Sequence, residues 1–114
     1  IFWSIFCEPC RAEMPLIQSM YDKYKASGYD VIAVALDGDL ADNIRQFAKQ
    51  GKYTFRIVLD QESAEGSLVI AESYKVPGTP TIYLVNKEGK ITFSKVGRLG
   101  EQELDKAILS AMGK

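Results

Sequence analysis

The chain has 114 residues, 46% of them hydrophobic and 25% charged, with a formal net charge of −1. That length supports one hydrophobic core and not two. The near-neutral charge gives no pull towards nucleic acid or an anionic membrane, and no apolar run approaches the roughly eighteen residues that span a bilayer.

Ile1-Phe2-Trp3-Ser4-Ile5-Phe6 reads as strand from the first residue, without an initiator Met. It is too short for a secretory signal and lacks the basic n-region. The reading is a truncated strand end, N-terminally trimmed from a longer polypeptide, with any signal peptide or anchor upstream. From Cys10 to Ser27 the apolar residues Met14, Ile17, Tyr21 and Tyr24 recur at threes and fours, the mark of a helix with one apolar face. Gly28 supplies a stop, and Pro15 removes a backbone donor and should kink the helix.

Val31 to Leu36 is an unbroken apolar run, which suits a parallel strand buried on both faces. Leu40, Ile44, Phe47 and Ala48 mark a second helix that Asp39 or Asp42 could cap. Phe55 to Leu59 follows as a strand, Ser67 to Tyr74 as a short helix, and Thr81 to Val85 as a strand. Lys87-Glu88-Gly89 is a turn, Ile91 to Val96 a strand of mixed polarity near an edge, and Leu104, Ile108 and Met112 the apolar face of a last helix. The order β-α-β-α-β-α-β-β-α predicts one α/β domain over residues 1–114. Its central sheet should be mixed and mostly parallel, with about five strands, helices on both faces and an antiparallel strand at the end.

Histidine is absent and cysteine occurs twice, in Cys7-Glu8-Pro9-Cys10. The lack of histidine removes His-based general-base catalysis, Cys–His nucleophilic pairs and most zinc sites. A stabilising disulfide works best by closing a long loop, and a two-residue gap closes almost nothing. The pair falls where a strand gives way to a helix. Unpaired N–H groups at a helix start favour an anion, here a thiolate, so Cys7 is placed to attack a disulfide and Cys10, one turn on, to resolve the intermediate.

A helix terminus contributes about 0.3–2 kcal/mol, enough to lower a thiol pKa by at most about one and a half. Glu8 opposes this, so the motif suggests a reducing or intermediate potential. Pro9 lies early in the helix, where its missing N–H costs little. Two other readings stand beside redox chemistry at this point: two small buried hydrophobes, or half of a zinc site completed by carboxylates.

The segment from Trp3 to Pro15, with its Glu-Pro dipeptide between the cysteines and its Glu13-Met14-Pro15 ending, resembles the active-site stretch of the thioredoxin superfamily. It is most similar to the extracytoplasmic TlpA-like and ResA-like thiol–disulfide oxidoreductases of cytochrome c maturation. Val76 to Val85 resembles that family's cis-proline loop and following strand, Asn86 to Ile91 its hairpin, and Val96-Gly97-Arg98-Leu99 its glycine loop.

The resemblance implies a thioredoxin fold, with Cys7 as nucleophile, Cys10 as resolving thiol and a redox-active Cys7–Cys10 disulfide in place of any metal or organic cofactor. It implies substrate contacts at Trp3, Phe6, Glu8, Pro9, Thr79, Pro80 and Gly97, with Pro80 following a cis peptide bond. Each has a plainer alternative: an ordinary trans turn at Thr79-Pro80, a core position for Trp3 and Phe6, and simple turn chemistry for Gly97.

One departure bears on proton transfer. Where thioredoxins proper carry a buried carboxylate two residues before the tryptophan, this chain has Ile1. Asp37 and Asp39 are the nearest substitutes by analogy, with helix capping as their alternative. The implied partners are protein disulfides and an upstream dithiol electron donor. No nucleic acid is implied, nor any membrane contact within this stretch. The implied location is extracytoplasmic or periplasmic, with any anchor upstream of Ile1. An oxidase or isomerase, or a non-catalytic interaction module of a larger protein, are the alternatives. A peroxiredoxin-like peroxidase would need its cysteine in a Thr-x-x-Cys setting, which is missing.

Overall fold

The computed structural model describes residues 1–113. Five strands form one sheet: β1 (Phe2–Trp3), β2 (Ile32–Ala35), β3 (Arg56–Leu59), β4 (Thr81–Val85) and β5 (Ile91–Val96), in the spatial order β3-β2-β1-β4-β5. β1 runs parallel to β2, with Phe2 opposite Val34 and Trp3 opposite Ala35, and β2 runs parallel to β3. β4 is antiparallel to β1 through Phe2 and Thr81, and β5 is antiparallel to β4. The sheet is mixed, as expected. Its reversed strand is β4, one place in from the edge, while β5 forms the edge itself.

Four helices flank the sheet: α1 (Glu8–Tyr24), α2 (Ala41–Gly51), α3 (Val69–Tyr74) and α4 (Glu101–Ala111). Side chains alternate across a strand, and this alternation splits the interior. Trp3, Ala33, Ala35, Ile82 and Leu84 point into the main core, where they meet Met14, Ile17 and Met20 of α1, Ile44 of α2 and Leu104 and Ile108 of α4. Phe2 and Val34 point to the other face and pack with Ala71 of α3.

Local chemistry moves several boundaries. β1 covers two residues, not six, because a turn closes where the Cys7 N–H bonds to the Ser4 carbonyl at 3.0 Å. α1 begins at Glu8, with Cys7 as its N-cap, and runs through Pro15 to Tyr24. A short 3₁₀ turn over Lys25–Ser27 then ends at Gly28 with φ +95°. β2 is narrower than the Val31–Leu36 run, and its Ile32 is exposed, so burial on both faces holds only for its remaining three residues. Neither Asp39 nor Asp42 caps α2. Its N-cap is Leu40, without a side-chain bond, and Asp42 pairs instead with Arg45 at 2.7 Å on the surface.

Candidate functional site

Three loops meet at one end of the sheet. Residues after Trp3 leave the C-terminal end of β1. Because Thr81 pairs with both Phe2 and Val96, the loop before β4 and the loop after β5 emerge at that same end. The first loop carries Cys7, the second Thr79-Pro80 and the third Gly97-Arg98-Leu99.

Cys7 caps α1 with extended backbone (φ −90°, ψ 103°), and its Sγ accepts the Cys10 backbone N–H at 3.2 Å. Pro9 sits in the first helical turn, where its missing N–H has no intrahelical partner to lose. Cys7 and Cys10 are joined by a disulfide with their Cα atoms 5.2 Å apart. The two sulfurs are not equivalent. Cys7 is half-buried, whereas Cys10 is fully enclosed in the main core. Beside Cys7, Glu8 and Pro9 are exposed and the Phe6 ring is 78% exposed.

Asp37 holds the turn that delivers Cys7. Its Oδ1 accepts from Ser4 Oγ at 3.0 Å and its Oδ2 from the Ile5 N–H at 2.7 Å. Ser4 Oγ in turn accepts the Phe6 N–H at 3.2 Å. Both Asp37 oxygens are therefore engaged in fixing the turn. Asp39 lies exposed in the 3₁₀ turn Gly38–Leu40, with no hydrogen bond to either cysteine. The geometry makes Asp37 a turn clamp, and among the described residues neither Asp37 nor Asp39 bonds to a cysteine sulfur.

The Thr79–Pro80 peptide is cis, and Pro80 is fully buried. Among the described residues the Thr79 backbone N–H and C=O carry no hydrogen bond. Gly97 adopts φ +97°, a conformation that favours glycine, and its N–H donates to the Pro80 carbonyl at 2.8 Å. Trp3 is 0% exposed and its ring packs on Phe47 at 5.3 Å. The expectation that it touches substrate is corrected: its place on the inward side of β1 makes it core.

Glu13 entered the sequence analysis only as part of a motif, with no task of its own. It is a carboxylate with 0% exposure, one turn beyond Cys10 on α1. Its Oε1 accepts the Leu99 N–H at 2.9 Å, and its Oε2 accepts Arg98 Nε at 3.1 Å. It ties the cysteine helix to the glycine loop. A signal was present: Glu13 lies four residues before Ile17, on the stripe that buries Ile17, Met20 and Tyr24. Among the described residues, no group of three or more Cys, Asp or Glu side chains could hold a metal ion.

Residues 1–108 match the sequence profile of the Redoxin family. The chain belongs to the Redoxin family. Within it, the chain is a ResA-like member of the thioredoxin superfamily. It is 33% identical over 105 residues to the thiol-disulfide oxidoreductase ResA of Bacillus cereus, a match covering 91% of this chain and 57% of that protein. It thus spans little more than half the length of that relative. Among solved structures it is similar to StoA from Bacillus subtilis, at 30% identity and TM-score 0.77 over 94% of this chain and 78% of that one. A thiol:disulfide interchange protein from Bacteroides sp. matches at 26% identity and TM-score 0.80, over 99% of this chain and 70% of that one. The Redoxin chain carries its two cysteines at the head of α1, at the end of the sheet from which the cis-proline and glycine loops also emerge.

Proposed function

We propose that this chain is a thiol–disulfide oxidoreductase that reduces protein disulfides through Cys7 and Cys10. The observation that carries this reading is the asymmetry of the pair. Cys7 is partly accessible and receives the Cys10 N–H at the start of a 17-residue helix, while Cys10 is enclosed behind it. The helix terminus and that N–H stabilise a thiolate on Cys7 in the reduced protein.

In the forward direction the Cys7 thiolate attacks one sulfur of a substrate disulfide. The substrate S–S bond breaks, its other sulfur departs as a thiolate, and a mixed disulfide joins Cys7 to the substrate. Cys10, deprotonated, attacks Cys7 Sγ and expels the second substrate sulfur. Two electrons pass to the substrate, and the Cys7–Cys10 disulfide forms. A dithiol donor protein restores the reduced pair by the reverse exchange.

In this reading the unbonded Thr79 backbone pairs with an extended substrate segment, beside Pro80 and Gly97, and the exposed Phe6, Glu8 and Pro9 contact it on the other side of Cys7. Glu8 places a negative charge next to the thiolate and favours a reductant over a strong oxidant. The resemblance to ResA-like proteins supports an extracytoplasmic location and substrates such as the cysteines of an apocytochrome.

Insulin reduction in the presence of dithiothreitol tests the proposal. Wild type should accelerate precipitation of the insulin B chain well above background and Cys7→Ser should not. Equal, background turnover by both would leave an interaction module as the better reading. Cys10→Ser should accumulate a mixed disulfide visible on a non-reducing gel. A reduction potential more oxidising than about −180 mV, the value for disulfide isomerase, would replace the reductase with an oxidase or isomerase.

A further inference from the structure

Arg98 stands in the glycine loop, immediately after the residue whose N–H bonds to the Pro80 carbonyl. Its Nε donates inward to Glu13 Oε2 at 3.1 Å, and its side chain remains 57% exposed. An exposed arginine ordinarily loses considerable side-chain entropy when it binds a ligand. Here the buried carboxylate already holds the guanidinium by its Nε, which restricts its swing. Glu13 is itself held by the Leu99 N–H, so the anchor does not swing. The two Nη groups carry no partner among the described residues. They form a pre-oriented fork of donors at the rim of the loop cluster that holds Cys7 and the unbonded Thr79 backbone.

Such a fork matches a carboxylate in geometry as well as charge. Other charged groups have other engagements. Glu8 stands in the first turn of α1 and repels acid there, Lys95 is matched by Glu103 at 3.5 Å, and Arg11 lies over the Phe47 ring at 6.0 Å. We infer that Arg98 is a specificity determinant that reads an acidic side chain close in sequence to the target cysteine of the substrate. The inference rests on the oxidoreductase reading and adds to it a substrate class: disulfides in locally acidic, extended segments.

The test uses nonapeptides with a central cysteine linked by a disulfide to 2-thiopyridine, whose release on attack is read by absorbance. Each carries a single Asp at one position from three before to three after the cysteine, with the matching Asn peptide as control. Reduced wild type should react with one or two of the Asp peptides at a second-order rate constant about two- to fivefold above that of the Asn partner, the range of an exposed ion pair, and the preference should fade with added salt. In Arg98→Gln the Asp-to-Asn ratio should fall to about one. In Arg98→Lys, which keeps a cation beside Glu13 but lacks the fork, it should lie between, and near-ultraviolet circular dichroism shows that each variant keeps its packing.

A wild-type ratio of one at every position overturns the inference, as does an Arg98→Gln ratio equal to wild type. Equal slowing of both peptides in Arg98→Gln also overturns it, since Arg98 would then act only through Glu13. Anisotropy of dye-labelled Asp and Asn peptides on the oxidised protein reads recognition without chemistry. If wild type releases thiopyridine no faster than Cys7→Ser while the Asp preference persists in binding, the oxidoreductase reading fails and the recognition by Arg98 stands.

Discussion

The Cys10 backbone N–H points at Cys7 Sγ from 3.2 Å, so one residue of the pair supplies a donor to the other's sulfur. This relationship follows from Cys7 standing at the N-cap, where the N3 N–H has no carbonyl partner. In the reduced protein the same donor and the helix terminus act on a thiolate. The Cys7 pKa should therefore fall below the free-thiol value of about 8.5. Iodoacetamide alkylation against pH, with mass mapping, measures it. Cys7 should be modified well before the enclosed Cys10. A free-thiol titration at Cys7 would remove the basis for its role as nucleophile.

Asp37 offers a second test, because clamp and proton carrier predict different pH behaviour. Asp37→Ala leaves the Ile5 N–H and the Ser4 hydroxyl without their acceptors, and should cost about 1–2 kcal/mol in urea unfolding. It should also slow insulin reduction, because the turn before Cys7 loosens. Asp37→Asn keeps one acceptor oxygen and should retain more of both. In each variant the rate should fall by a similar factor at every pH. A displaced pH–rate profile would instead return Asp37 to proton transfer.

Asp60 at the end of β3 is a buried carboxylate that serves the fold. Its oxygens accept the N–H groups of Gln61, Ile70 and Ala71, at 2.8–2.9 Å, and so cap the start of α3 from ten residues away. Its carbonyl lies so near Gly38 that a Cβ there would meet it at 2.5 Å. Asp60→Ala should cost about 2–4 kcal/mol, and Gly38→Ala about 1–3 kcal/mol through the clash with backbone. Urea melts followed by the fluorescence of the single tryptophan, Trp3, measure both. Full stability in Asp60→Ala would mean that water replaces the carboxylate at no cost.

These residues also show what a sequence exposes and what it hides. β4 and β5 run over the residues the sequence reading assigned, because alternation and a turn ending in Gly89 are local signals. The Cys7–Cys10 pair stood out by its spacing at a strand-to-helix junction, whereas the cis peptide before Pro80 was expected only from the family resemblance. The tasks of Glu13, Asp37 and Asp60 in the fold were not legible. Their hydrogen-bond partners on other elements lie between ten and eighty-six positions away, and a buried carboxylate looks like a solvated one until the chain has folded around it. Trp3 misled for the opposite reason. It adjoins the site in sequence, but side-chain alternation along β1 turns its ring into the core.

Asp105 ties α4 to α1, and its environment fixes a pH window. The Tyr24 hydroxyl and then the Lys23 ammonium, 2.9 Å away, donate to its carboxylate and hold its pKa below the ordinary 3.8. The same contacts raise the pKa values of Lys23 and Tyr24 above their ordinary 10.5 and 10.0, with the Asp105 hydrogen bond as the leading cause in each. A lowered carboxylate pKa contributes stability that is present above the unfolded value and lost as pH falls through the folded one. Raised Lys and Tyr pKa values contribute stability that is present below their unfolded values and lost as pH rises through the folded ones. The melting temperature of wild type should therefore exceed that of Asp105→Asn by a constant margin between about pH 5 and pH 9, and the margin should narrow on both sides of that window. Thermal melts across about pH 2–11 measure it. A margin that stays level down to about pH 2 would mean that the Tyr24 and Lys23 contacts do not distinguish the charged carboxylate from the neutral one.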